Sequence, residues 1–177
     1  MPRASPFEAL VRAIVYQSVS GKAAAAIYAR LKGTVGERFT PAGLVAMPQG
    51  SITAAGLSKS KASAINSLAE WFVANRQTAK ALPALSDDQV IEALIGIPGI
   101  GAWTVNVFLI FNLGRLDVMP ASDLGIRRGV QLVYALEEVA TPKQVHEKAA
   151  LWRPYRSIAS IYLWNAVKLK ISPSDLM

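Results

Sequence analysis

The sequence reads Gly96-Ile97-Pro98-Gly99-Ile100-Gly101 between two segments whose apolar residues recur at helical spacing. Glycines at three of these six positions allow positive φ and leave the amide groups uncovered by side chains. Such a turn can bring its N–H groups, and the N-terminus of the next helix, against a phosphate. The same residues also fit an ordinary loop between two helices. The stretch therefore predicts a hairpin between helices, with phosphate binding as one of two interpretations.

A mononucleotide-binding loop is a poor interpretation of the same residues. The glycines have the spacing of a P-loop, but Ala102-Trp103 follow them where that motif needs Lys and Ser or Thr. No strand is predicted before the turn, whereas a P-loop follows one. The DNA backbone is therefore the better candidate ligand.

The rest of the chain continues the helical pattern. Alanine is abundant, β-branched alternation is scarce, and capping residues or N1 prolines precede most of the periodic segments. We predict an all-α fold class with short linkers and no internal repeat. The predicted helices are 6–19, 22–31, 41–47, 59–74, 87–95, 102–113, 124–136, 142–151 and 155–169.

Composition limits the chemistry that this chain can perform. Its 177 residues are 52% hydrophobic, enough to bury the core of one domain. The 19 Lys and Arg against 12 Asp and Glu give a net charge of +7, which favours nucleic acid or an anionic membrane surface as partner. The absence of cysteine and the single His146 exclude disulfides, thiolate nucleophiles, iron–sulfur clusters and an ordinary zinc site. Carboxylates, hydroxyls, lysines and the backbone remain for catalysis, and no metal site is predicted.

Apolar runs in this sequence are too short to cross a bilayer. The stretch 105–111 is among the longest, and a spanning helix needs about 20 residues. The N-terminus has no apolar core of a secretory signal. We therefore expect an intracellular protein.

Four segments together resemble one known family. They are Ile97-Pro98-Gly99-Ile100-Gly101-Ala102-Trp103-Thr104, then Met119-Pro120-Ala121-Ser122-Asp123-Leu124-Gly125, then Phe7-Glu8-Ala9-Leu10-Val11-Arg12-Ala13-Ile14-Val15 with Gln17-Ser18-Val19-Ser20, and finally Leu151-Trp152-Arg153-Pro154-Tyr155-Arg156-Ser157. In this combination they resemble the helix-hairpin-helix (HhH-GPD) DNA glycosylase superfamily, and specifically its 3-methyladenine, or alkylpurine, glycosylase II branch. The likeness covers nearly the whole chain.

The resemblance implies a fold and an activity. It implies the helix-hairpin-helix glycosylase fold, a single domain of two helical lobes with a cleft between them: residues 20–110, which include the hairpin, and residues 1–19 with 111–177. The implied activity is monofunctional hydrolysis of the N-glycosidic bond of alkylated purines, such as 3-methyladenine and 7-methylguanine, in base excision repair with base flipping. Some members carry an N-terminal β-rich lobe, and we expect none here.

The resemblance also implies partners. The expected substrate is double-stranded DNA that contains alkylated bases, bound by a monomer without membrane association. No cofactor is required, although a monovalent cation is expected on the hairpin backbone carbonyls when DNA is bound. The protein is then cytoplasmic and nucleoid-associated in a prokaryote, or nuclear in a eukaryote.

The family's catalytic carboxylate corresponds to Asp123. Its local sequence has another interpretation, because Ser122 and Asp123 precede the helix predicted at 124–136 and either is a good N-cap. The two roles are compatible, since the helix dipole and backbone donors favour an anion. A fixed carboxylate stabilises the oxocarbenium character that develops on the sugar and orients the incoming water. We assign Asp123 both roles and expect Ser122 to be the cap, with the carboxylate directed to the cleft.

Trp103 stands where bifunctional members of the family carry their Schiff-base lysine, two residues after the last hairpin glycine. Hydrolysis by water, which leaves an abasic site, is therefore predicted. The resemblance assigns Trp103, Val107 and Trp164 to the substrate pocket, where an aromatic face attracts a cationic base. Some members have a tyrosine at the position of Val107, so a less aromatic pocket is expected. The pattern alone fits a core position for Trp103 equally well.

The predicted face of Trp164 follows from helical spacing in its segment. Ser157, Ser160 and Lys168 share that face, while Ile158, Ile161, Tyr162 and Leu169 form a more apolar stripe. This pattern disfavours a purely core role for Trp164.

DNA binding requires phosphate contacts and a side chain that fills the gap left by the flipped base. Gln17 and Ser18 resemble the family's DNA-facing turn, and the gap-filling residue is expected in the loop 32–39. Any one basic residue is equally typical of a solvated helix surface. The candidate DNA contacts are Gly96, Gly99, Ile100, Gly101, Gln17, Ser18, Lys22, Lys59, Lys61, Arg127, Arg128, Arg153 and Arg156.

Three other functions stay open at this point. The first is a non-catalytic helix-hairpin-helix module that grips DNA, with Asp123 serving only as a cap. The second is an enzyme for oxidised or mismatched bases, which Trp103 and the missing cysteines disfavour. The third is membrane-surface binding, which lacks a helix with a basic face opposite a broad apolar one.

Overall fold

The structure, a computed structural model, describes residues 4–36, 39–48 and 50–170 of the chain. These residues contain α-helices and no β-strand, so the predicted all-α class is confirmed. The α-helices are α1 (Pro6–Tyr16), α2 (Gly21–Val35), α3 (Pro41–Val45), α4 (Lys59–Ala74), α5 (Arg76–Ala81), α6 (Asp87–Ile95), α7 (Ala102–Phe108), α8 (Leu124–Val133), α9 (Pro142–Ala149) and α10 (Arg156–Leu169). A π-helical turn, Leu109–Leu113, directly follows α7.

Several helices end elsewhere than the sequence predicted: α2 continues to Val35, α7 ends at Phe108 and α8 ends at Val133. Helix α1 ends at Tyr16 because the backbone of Gln17 is extended and Ser18 adopts a positive φ of 53°. Helix α5 was not predicted. It is short, it buries only Ala79 and it lacks a side-chain cap, so its sequence carries no strong helical signal.

The chain divides into two compact units, Met1–Phe108 and Leu109–Met177. In the first unit, α1 packs against α2, α4 and α7, and its residues Leu10 and Ile14 are fully buried. This packing places α1 in the first unit, whereas the sequence assigned residues 1–19 to the second lobe. The cleft between the lobes stays a prediction.

The second unit is built on the packing of α8 against α10. A Cβ at Gly129 would lie 2.7 Å from the Leu163 Cβ, so the absence of a side chain lets the two helices approach closely. The buried core beneath them comprises Met119, Ala121, Ile126, Val130, Ala140, Val145, Ala149 and Leu163. No helix among the described residues has the length and apolar character needed to span a membrane.

Candidate active site

The glycine-rich turn forms the predicted hairpin between α6 and α7. Its N–H of Ile100 donates to the carbonyl of Ile97 at 2.9 Å. Both isoleucine side chains are buried and anchor the turn, while Gly96, Gly99 and Gly101 are exposed. Because the side chain of Ile100 lies in the core, DNA contact by this residue is restricted to its main chain.

Gly99 requires glycine for two reasons. Its φ is +84°, in the left-handed region that other residues rarely adopt. In addition, a Cβ at this position would collide with the Cβ of Ala64 on α4 and lie 3.2 Å from its Cα. The hairpin is thus pressed against α4 with no room for a side chain.

Gln17 lies at the end of α1 and is bonded to the hairpin. Its side-chain Nε2 donates to the Gly99 carbonyl at 3.1 Å and to Thr104 Oγ1 at 2.7 Å. The amide nitrogen of Gln17 is therefore used within the protein, which disfavours the predicted direct DNA contact. Ser18, the next residue, is exposed and remains the DNA-facing candidate of this turn.

Three of the basic residues predicted to bind DNA have protein partners. Lys61 Nζ donates to the Val15 carbonyl at 2.7 Å, and burial lowers the pKa of this lysine. Arg127 Nε donates to the Ala140 carbonyl at 2.6 Å. Arg156 forms an ion pair with Asp117 at 2.6 Å. These contacts indicate structural roles.

Other basic candidates are exposed on the surface. They are Lys22, Lys59, Arg128 and Arg153. In the region proposed for the gap-filling residue, α2 continues to Val35, and residues 37–38 lie outside the described part of the chain. The location of the gap-filling residue stays a prediction.

The carboxylate of Asp123 caps α8. Its Oδ1 accepts hydrogen bonds from the N–H of Ile126 and from Trp164 Nε1, both at 2.8 Å. The prediction that Ser122 is the cap is therefore wrong: Asp123 has the extended backbone of an N-cap, with φ −66° and ψ 128°. Donors from two helices fix one carboxylate oxygen and stabilise its negative charge.

Trp164 approaches this carboxylate because Gly125 leaves space for the indole. A Cβ at Gly125 would lie 2.8 Å from Trp164 Cδ1 and 3.0 Å from Asp123 Oδ1. The carboxylate, the glycine and the indole form one closely packed group. The sequence resemblance named Asp123 and Trp164 as site residues, and the structure brings them together.

The face of α10 that carries the two serines packs inward, and part of its more apolar stripe is exposed. Ser157 and Ser160 are buried, at 2% and 0% exposure, whereas Tyr162 is 73% exposed. The serines can be buried because their hydroxyls are hydrogen-bonded: Ser157 Oγ accepts from the N–H of Val118, and Ser160 Oγ donates to the Arg156 carbonyl. Trp164 consequently lies on the inner side of α10, half-buried against the core.

Phe111 is a candidate site residue that the sequence analysis did not name. Its ring stacks on Trp164 with centroids 5.7 Å apart and an angle of 29° between planes, yet the residue is 59% exposed. The π-helical turn Leu109–Leu113 carries it, and such turns are frequent at functional sites. The signal available in the sequence was an aromatic residue one helical turn beyond Val107, the position at which some family members carry a tyrosine. Trp103 and Val107 themselves are half-buried on α7.

Comparisons with known proteins identify relatives of this chain. Residues 11–154 match the family model described as "HhH-GPD superfamily base excision DNA repair protein". DNA-3-methyladenine glycosylase 1 of Schizosaccharomyces pombe is 37% identical over 172 residues, which make up 96% of this chain and 75% of that protein.

Two solved structures share the fold. The Schizosaccharomyces pombe 3-methyladenine DNA glycosylase in complex with abasic DNA superposes with a TM-score of 0.84 at 36% identity, covering 92% of this chain and 81% of that one. The DNA-3-methyladenine glycosidase of Bacillus halodurans gives a TM-score of 0.80 at 35% identity, with coverage of 98% and 82%. The predicted helix-hairpin-helix glycosylase fold is confirmed.

Proposed function

Because the chain belongs to the HhH-GPD superfamily of base excision DNA repair proteins, we propose that it is a DNA-3-methyladenine glycosylase. It hydrolyses the N-glycosidic bond of alkylated purines in double-stranded DNA. The observation that carries the proposal is the Asp123 carboxylate, which α8 and Trp164 hold beside an exposed aromatic stack.

The proposed reaction exploits the positive charge of the damaged nucleoside. When the bond between C1′ and the base nitrogen breaks, its electron pair moves to the purine, which leaves as a neutral base. The sugar then carries oxocarbenium character, which the negative charge of Asp123 stabilises. A water molecule adds to C1′ and loses a proton to the carboxylate, so the product is an abasic site.

Phe111 and Trp164 are proposed to recognise the flipped base. A flat cationic purine is attracted to an aromatic face, and this attraction is worth about 0.5–2 kcal/mol. The exposed Phe111 ring is accessible to such a base, and its stack with Trp164 orients it. The resemblance assigns Trp103 and Val107 to the base pocket as well, and their role stays a prediction.

The proposed DNA contacts are the hairpin glycines Gly96, Gly99 and Gly101 together with Ser18, Lys22 and Arg153. The net charge of +7 supports binding to a polyanion. The hairpin carbonyls also suit a monovalent cation when DNA is bound, because each carbonyl oxygen has two lone pairs. One of these oxygens, that of Gly99, already accepts a hydrogen bond from Gln17.

Base release from methylated duplex DNA tests the proposed function. The wild-type protein should release free methylpurine, and strand breaks should appear only after alkali treatment. Borohydride should trap no covalent adduct, because tryptophan occupies position 103. A panel with 3-methyladenine, 7-methylguanine, oxidised and mismatched substrates defines the specificity. Duplex binding without release from any substrate would favour the non-catalytic module.

We expect Phe111→Ala to lower the single-turnover rate of base release roughly tenfold, because the loss of one aromatic face removes about 1.4 kcal/mol of attraction. The free energy of unfolding should change little, since the ring is 59% exposed. Leu169→Ala, at 68% exposure on α10, serves as the matched control and should retain the wild-type rate. Equal rates for both variants would remove Phe111 from the proposed pocket.

Trp164→Phe tests the hydrogen bond to the carboxylate separately from the aromatic stack. Phenylalanine keeps a ring against Phe111 but lacks the Nε1 donor that Asp123 Oδ1 accepts. Hydrogen bonds to charged groups contribute about 1.5–3 kcal/mol, so we expect the single-turnover rate to fall about 10-fold to 100-fold. Affinity for an abasic duplex should stay near that of the wild type. An unchanged rate would limit Trp164 to stacking and core packing.

A further inference from the structure

The chain segment that leads to Asp123 is attached to the first turn of α10. The N–H of Ser157 donates to the Leu116 carbonyl at 2.9 Å, and the N–H of Val118 donates to Ser157 Oγ at 3.0 Å. Ser160 Oγ also lies 3.7 Å from the sulfur of Met119. Residues 116–119 therefore follow the surface of α10 closely.

Arg156 holds the same segment through its side chain. Its Nε donates to Asp117 Oδ1 at 2.6 Å, and its Nη2 donates to the Asp117 carbonyl at 2.8 Å and to Oδ2 at 3.0 Å. The guanidinium therefore binds the carboxylate through two nitrogens and the backbone of the same residue. The Arg156 side chain is only 18% exposed, which limits its access to a phosphate. The adjacent Arg156 also holds the pKa of Asp117 below its usual range.

The same helix holds Asp123 itself two turns later. Trp164 Nε1 donates to the Asp123 carboxylate, and a compact turn joins the two attachment points. In that turn the N–H of Ala121 donates to the Met119 carbonyl and the N–H of Asp123 donates to the Pro120 carbonyl, both at 2.9 Å. Because few residues lie between the two attachments, we expect a shift at Asp117 to be transmitted to the backbone of Asp123.

We propose that Arg156 and Asp117 are positioning residues for Asp123, and that Arg156 does not serve as a phosphate contact. The inference rests on the proposed function. A reacting group must be held to within about 0.5 Å of its productive position, and a displacement of about 1 Å can reduce the rate about 100-fold. The ion pair supplies this restraint at the end of the segment remote from Trp164.

Arg156→Ala and Asp117→Asn test the proposal beside Arg153→Ala. Arg156→Ala and Asp117→Asn should each lower the single-turnover rate of base release at saturating enzyme about 10-fold or more. Their affinity for abasic duplex, and the dependence of that affinity on salt, should stay unchanged. Arg153→Ala, which removes an exposed arginine three residues away, should weaken binding and reduce the salt slope by about 0.9, as expected for one phosphate contact. Lys143→Ala, exposed on α9, is the control with wild-type behaviour.

Further variants separate positioning from loss of folding. Arg156→Lys keeps the charge but loses the planar fork, so its rate should lie between those of wild type and Arg156→Ala. The double variant that combines Arg156→Ala with Asp117→Asn should release base no more slowly than either single variant, because the two residues act as one unit. These measurements are made below the thermal midpoint of each variant, and Asp117→Asn and Arg156→Lys remain informative if Arg156→Ala does not fold.

Two results would overturn the proposal. The first is a reduced salt slope with an unchanged rate in Arg156→Ala, which would make Arg156 a phosphate contact. The second is additive loss of rate in the double variant. An inactive wild-type protein would instead contradict the proposed function itself.

Discussion

Asp123→Asn should reduce the single-turnover rate of base release by about 100-fold to 1,000-fold, the effect of removing about 2.7–4 kcal/mol of electrostatic stabilisation from a transition state. Asparagine is nearly isosteric and is also a good N-cap, so its carbonyl oxygen can still accept from Ile126 and Trp164. The variant should therefore fold normally and bind abasic duplex as tightly as the wild type. Only the negative charge is removed.

Asp88→Asn provides the control for this charge change, because Asp88 is exposed on α6 in the other unit. It should release base at the wild-type rate. If Asp123→Asn also retained full activity, Asp123 would be a helix cap alone and the catalytic group would have to be sought elsewhere. Thermal denaturation of all three proteins, measured beside the kinetics, shows whether the cap survives.

Gly99→Ala should damage both stability and DNA binding. The new Cβ would collide with Ala64, and alanine would have to adopt a φ of +84°. Backbone strain and overpacking together cost about 2–5 kcal/mol. Any relief requires the hairpin to move off α4, so we expect the affinity for abasic duplex to fall roughly tenfold or more, which corresponds to the loss of a charge-assisted hydrogen bond to phosphate.

Gly101→Ala is the stability control for the same hairpin. Gly101 has no positive φ, and a Cβ there would meet no atom within 4 Å. Its free energy of unfolding should stay within about 0.5 kcal/mol of the wild type, as for surface substitutions without a special role. Equal destabilisation of both variants in urea would show that hairpin glycines are needed only for flexibility, and not for the contact with α4.

Local signals in the sequence were sufficient for the hairpin. Glycine and proline at fixed positions between two periodic segments predict a turn, and α6 ends and α7 begins as expected. The local pattern at Asp123 predicted only a helix cap, and its candidate role as the catalytic carboxylate came from the family resemblance. Turn chemistry and helical period act over a few residues, so they can be recognised without knowledge of the fold.

The errors concern choices that only tertiary contacts decide. Ser122 and Asp123 are equivalent caps by composition, and Trp164 on α10 supplies the second donor that favours Asp123. Ser157 and Ser160 suggested a solvated face, but their hydroxyls find partners in the segment 116–119 and in α10 itself. Such partners are distant in sequence, and no local pattern reveals them.

The basic residues illustrate the same limit. Lys61, Arg127 and Arg156 are as suitable for phosphate binding by sequence as Lys22 or Arg153. Lys61 and Arg127 donate to main-chain carbonyls, and Arg156 donates to the carboxylate of Asp117. The net charge favoured nucleic acid or an anionic membrane surface without deciding between them. The contacts of each basic residue depended on which acceptor oxygens lay near its side chain.

The double use of the Asp123 carboxylate has a consequence for how this protein can change during evolution. Replacement by a residue that cannot cap would weaken α8 as well as abolish chemistry, so selection for a stable fold alone opposes most substitutions at this position. Asparagine escapes that constraint. A descendant that had acquired Asp123→Asn would keep the helix, the hairpin and the grip on DNA, and a single base change in its gene could turn a repair enzyme into a protein that binds DNA without cutting out the base.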